Sequence, residues 1–101
     1  MAAALDRLWT KFLPEIEQRV ALLETAVEAL SSGSLSPEQS QGAHAAAHKL
    51  AGSLGTFGLQ RGTELARQCE VALAQDLPAD GLADLARWVV ELRTLIESRC
   101  S

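Results

Sequence analysis

Between Leu82 and Ile96 the large apolar residues recur in steps of three and four: Leu82, Leu85, Val89, Leu92 and Ile96. That spacing gathers all five on one stripe of an α-helix and scatters them over both faces of a strand. The rhythm returns in Ile16, Val20, Leu23, Val27 and Leu30, and again in Ala43, Ala47, Leu50 and Leu54. A stripe of this kind buries itself against other stripes, so the chain is constrained to helix-on-helix packing. No window alternates with period two, Tyr is absent and aromatic content is only 4%, which removes the residues that favour strands.

The breaks between seams carry turn chemistry. Leu5, Leu8, Trp9 and Phe12 predict a short amphipathic helix from about Ala3 to Leu13. Pro14 disfavours helical backbone at Leu13 and suits a first turn, so a second helix is expected from about Pro14 to Leu30. Ser31-Ser32-Gly33-Ser34 ends it. Ser36-Pro37-Glu38-Gln39 reads as a helix start: Ser at the N-cap, Pro at the first position and Gln placed for a capping box. The third helix runs from there to about Leu54, where Gly55 and Gly58 end it and Phe57 returns to the core. A fourth helix spans about Leu59 to Gln75 with Leu65, Cys69, Ala72 and Leu73 inward, and a fifth about Ala79 to Arg99. The expected fold is all-α, an antiparallel four-helix bundle with a short additional N-terminal helix capping one end. Residues 1–101 are expected to form a single domain. Its core should include Leu23, Val27, Leu50, Leu54, Leu85, Val89 and Leu92, with Trp9 and Trp88 in the core or at the bundle end.

Composition excludes several classes of function. Net charge is −4 with no block of Lys or Arg, which argues against a nucleic-acid partner. No apolar run approaches the roughly 20 residues that span a membrane, and Met1-Ala2-Ala3-Ala4-Leu5-Asp6 lacks a charged segment before an apolar run. Cys69 and Cys100 form no metal spacing, so a reduced cytoplasmic setting is expected. There is no Ser–His–Asp set, no pair of catalytic carboxylates and no loop built to cradle phosphate.

Chemistry concentrates between Ala43 and Leu59, which holds both histidines and glycines at Gly52, Gly55 and Gly58. His44, His48 and Gly52 are spaced four apart and share a helical face. His48 sits about 100° round from the seam residue Ala47 and is expected half exposed. A neutral imidazole offers one ring nitrogen as a nucleophile near pH 7. The His44/His48 pair could hold zinc, but the Glu of an H-E-x-x-H helix is missing and no third ligand is evident. Gly52 is open to two readings, a helix-packing glycine or clearance beside His48. Lys49 is either a solvated lysine or a contact for an anion at His48.

Three stretches carry a family resemblance: A-H-K-L-A-G (Ala47 to Gly52), L-G-T-F-G-L (Leu54 to Leu59) and E-L-A-R-Q-C-E (Glu64 to Glu70). With the helical frame around them, the chain resembles the histidine-containing phosphotransfer (HPt) domain of bacterial two-component phosphorelays. The family has an apolar residue two after its phosphorylated His, often a Lys three after and a Gly four after. His48, Leu50 and Gly52 match, while the Lys position holds Ala51. The resemblance implies a phosphoprotein of signal transduction, not an enzyme in its own right. His48 would accept a phosphoryl group from, and pass it to, the Asp of a response-regulator receiver domain or hybrid histidine kinase. The chain would need no cofactor, because the receiver supplies the Mg²⁺. Glu70 stands where the family places a hydrogen-bonding side chain and is the expected orienter of His48, with a solvated Glu as the alternative. His44, Lys49, Ala51, Gly52 and Gly55 would form the docking face. The competing reading is a helical interaction module that is not phosphorylated.

Overall fold

The computed structural model describes residues 2–100. Four helices follow one another, α1 (Ala2–Ser31), α2 (Pro37–Thr56), α3 (Gln60–Leu73) and α4 (Ala79–Cys100). Each packs on its neighbours in sequence, and α4 closes back on α1. The order is up-down-up-down. Arg99 near the end of α4 reaches Asp6 near the start of α1 at 2.7 Å, and Arg93 meets Glu24 at 2.7 Å. The molecule measures 45 × 22 × 19 Å, and its long dimension is that of the 30-residue α1 at about 1.5 Å per residue.

The seams meet along the axis. Ile16, Val20, Leu23, Ala43, Ala47, Leu50, Leu54, Leu65, Cys69, Leu85, Val89, Leu92 and Ile96 are all buried. The caps act as their residues dictate. Ser36 forms a complete capping box with Gln39. Gly58 has φ +75°, and the amides of Leu59 and Gly58 return to the carbonyls of Leu54 and Gly55. That is a Schellman end, and its left-handed residue strains any side chain but glycine.

Three expectations about α1 need correction. No break occurs at Pro14: the helix is continuous, and the short N-terminal helix is its first half. Proline inside a helix deletes one hydrogen bond and crowds the preceding turn, at about 3 kcal/mol. Packing on both sides of Pro14 offsets this. Trp9 and Ile16 are buried, Trp9 meets the Phe57 ring edge-on at 5.2 Å, and the Arg99 guanidinium lies 5.2 Å over Trp9. The pyrrolidine itself faces solvent. Second, a continuous helix keeps Trp9 on the Ile16 stripe and turns Leu8 and Phe12 outward, leaving them 44% and 40% exposed. Third, Val27 is only partly buried, because Ala26 takes the inward position beside it.

Candidate functional site

The site is set by how closely α2 and α3 approach. At Gly62 an added Cβ would stand 2.9 Å from Leu54 Cδ1, and at Gly55 it would stand 3.2 Å from Thr63 Oγ1. Glycine at both points lets the helices pack nearly backbone to backbone. Thr63 then donates its hydroxyl to the Ala51 carbonyl at 2.9 Å, a buried bond that fixes the register between the two helices. Further along, Cys69 turns into the core. Its neighbour Glu70 is thereby aimed along the seam between α2 and α3.

In that register His48 Nδ1 lies 2.8 Å from Glu70 Oε2. An ionised carboxylate only accepts hydrogen bonds, so the contact places the proton on Nδ1 and leaves the Nε2 lone pair free. The His48 side chain is 74% exposed, more open than its position beside the seam suggested. The Glu70 carboxylate is 25% exposed, so it is shielded while the ring it touches is not. The same oxygen, Oε2, lies 3.9 Å from His44 Nε2. One carboxylate therefore serves two imidazoles, tightly bonded to His48 and at ion-pair distance from His44.

The other expected residues separate around this centre. Gly52 has nothing within 4 Å of where a Cβ would be, so the surface one turn past His48 is open. Gly55 is exposed and lies against Thr63. Lys49 is exposed on the opposite flank of α2, where with Glu15 and Arg19 it lines a hollow of about 250 Å³ against α1. Ala51 is a correction to the docking face. It is 7% exposed and packs toward α3, because it lies one position past the seam residue Leu50 on the side that α3 covers. A partner cannot reach it.

Two α3 residues at this seam, Thr63 and Arg67, were not anticipated. Their signal was the spacing Thr63, Arg67, Glu70, four and then three residues apart on one face. It becomes informative only once that face is known to look along α2. Among the described residues no three His, Cys, Asp or Glu side chains converge as metal ligands, and no helix is long and apolar enough to cross a membrane.

Protein RcaC from Microchaete diplosiphon is 40% identical over 68 residues, which is 67% of this chain and 10% of that protein. The chain thus spans about a tenth of the relative's length. No solved structure matches. The Hpt domain family matches residues 7–99, nearly the whole bundle and all of the His48 seam, and the chain belongs to that family.

Proposed function

We propose that this domain is a phosphorelay carrier in which His48 accepts a phosphoryl group from the aspartyl phosphate of a receiver domain and returns it to such an Asp. The observation that carries the reading is the 2.8 Å contact between His48 Nδ1 and Glu70 on a ring that is 74% exposed. The free Nε2 lone pair attacks phosphorus, the P–O bond to the receiver's carboxylate breaks, and its electron pair leaves on the aspartate. Nδ1 keeps its proton, and the Glu70 carboxylate offsets the positive charge of the phosphorylated ring. In the reverse step a receiver carboxylate oxygen attacks phosphorus and the N–P pair returns to Nε2. Such transfer depends on positioning and charge more than on covalent assistance from the protein.

The open surface at Gly52 gives a receiver room to bring its Asp to Nε2, with His44 and Gly55 around the approach. In this reading the Mg²⁺ is held by the receiver, where it would supply charge neutralisation. The chain acts as an intermediate, not as an autonomous enzyme. Both cysteines are free, the state that a reducing cytoplasm maintains, and we assign the domain to that compartment.

The test is transfer from a phosphorylated receiver to wild type, His48→Gln and His44→Gln. Acid-labile label should vanish in the His48 variant and largely persist in the His44 variant. The reverse pattern would reassign the site to His44. No label on any of the three would favour the interaction module.

A further inference from the structure

The seam that holds His48 also presents a cation without an internal partner. Of the nine Lys and Arg residues, Arg19, Arg61, Arg87, Arg93 and Arg99 pair with carboxylates and Lys11 lies over the Phe12 ring. Arg7, Lys49 and Arg67 engage no acidic or aromatic side chain among the described residues. Arg7 is near the start of α1, and Lys49 lines the hollow against α1.

Arg67 is placed differently. It lies four residues after Thr63 and three before Glu70, hence on the same face of α3. Thr63 touches α2 at Ala51, and Glu70 touches it at His48. Arg67, between those two contacts, therefore stands level with the turn of α2 from His48 to Ala51, which Gly52 directly follows. The surface at Gly52 is bare: a Cβ there would meet nothing within 4 Å. Arg67 also lines a hollow of about 300 Å³ with Gly55, Gly58, Gln60 and Thr63, and by this register it forms the end nearest His48. Two carboxylates lie within one turn of it on α3, but Glu64 pairs with Arg61 and Glu70 with the histidines. An exposed, uncompensated guanidinium beside a bare surface is matched to a dianion, whose oxygens its planar fork can hold in pairs.

We infer that Arg67 binds the phosphoryl group carried on His48, supplying from α3 the positive charge that the open face of α2 lacks. The inference rests on the carrier reading above. It makes Arg67 a ligand of the phosphoryl oxygens, while Glu70 holds the ring and Gly52 leaves the room.

Phosphoramidate, a donor that needs no receiver, isolates this contact. The Nε2–P bond forms as the P–N bond of phosphoramidate breaks, and ammonia leaves with the electron pair. Initial labelling should fall about tenfold in Arg67→Gln, the size of a lost charge-assisted hydrogen bond. Arg67→Lys should recover part of the rate, because it restores the charge and not the fork. Both variants should keep the wild-type far-UV spectrum and melting temperature, since Arg67 has no internal partner to lose, and Lys49→Gln should label at close to the wild-type rate. Label on His48 that forms equally fast in Arg67→Gln, or a loss found in Lys49→Gln instead, overturns the inference alone. An unlabelled wild type, or label that survives His48→Gln, overturns the carrier reading and this inference with it.

Discussion

Gly52 is the position where stability and transfer should part. It lies inside α2, four residues before that helix ends at Thr56, and its backbone is ordinary helix without positive φ. A Cβ there would meet nothing within 4 Å, so Gly52→Ala has no clash to relieve. Glycine in a helix interior is about 1 kcal/mol less favourable than alanine, partly through the extra freedom of the unfolded chain. Gly52→Ala should therefore stabilise the bundle by about 0.5–1 kcal/mol. At roughly 2.1 cal/mol/K of unfolding entropy per residue, this 101-residue chain should melt about 2–5 °C higher. Thermal unfolding followed by circular dichroism reads that shift. Gly52→Gln should fold as well as wild type, yet place a long side chain over the approach to His48 and block transfer from a receiver. A drop in melting temperature for Gly52→Ala would show that the glycine is needed for packing. Normal transfer by Gly52→Gln would refute the clearance argument outright.

Four further measurements test the frame. Leu50 is fully buried between the helices, so Leu50→Ala should cost about 2–5 kcal/mol; a loss below about 0.5 kcal/mol in urea titration would mean the seam is misplaced. Glu70→Ala should slow transfer about tenfold by releasing the His48 ring, with Glu70→Gln retaining more because its carbonyl can still accept from Nδ1; equal rates in all three proteins would remove Glu70 from the mechanism. Pro14→Ala should restore the missing hydrogen bond of α1 and stabilise by roughly 2 kcal/mol, the ~3 kcal/mol of an interior proline less the entropy it saves in the unfolded chain; a lower melting temperature would argue for a true break there. Burial pushes the Cys69 thiol from 9.0 up to about 12. Native protein should then react with a thiol reagent at exposed Cys100 alone. Because the folded value is the higher one, stability should hold below pH 9 and fall as pH rises from there toward 12. Two fast-reacting thiols at neutral pH would contradict that burial.

Much of this molecule could be read from residue spacing, and the reason is local. Period and capping are properties of a few consecutive residues. The stripe Leu85, Val89, Leu92, Ile96, the capping box at Ser36 and the glycine end at Gly58 therefore stand where the sequence puts them. His48 beside the seam residue Ala47 is exposed for the same reason. Other features depend on what lies across the bundle, and no local pattern encodes that. Pro14 breaks a helix in isolation; it is carried through here because Phe57 and Arg99 hold the segment before it through Trp9. Whether Leu8, Phe12 and Ala51 face in or out was decided by the phase of a continuous α1 and by the side of α2 that α3 covers. The site itself is tertiary. Glu70 lies twenty-two residues from His48, and their contact exists because glycines at 55 and 62 let two helices close and a buried threonine sets their register. Sequence determined which residues could carry the chemistry, and packing decided which of them meet.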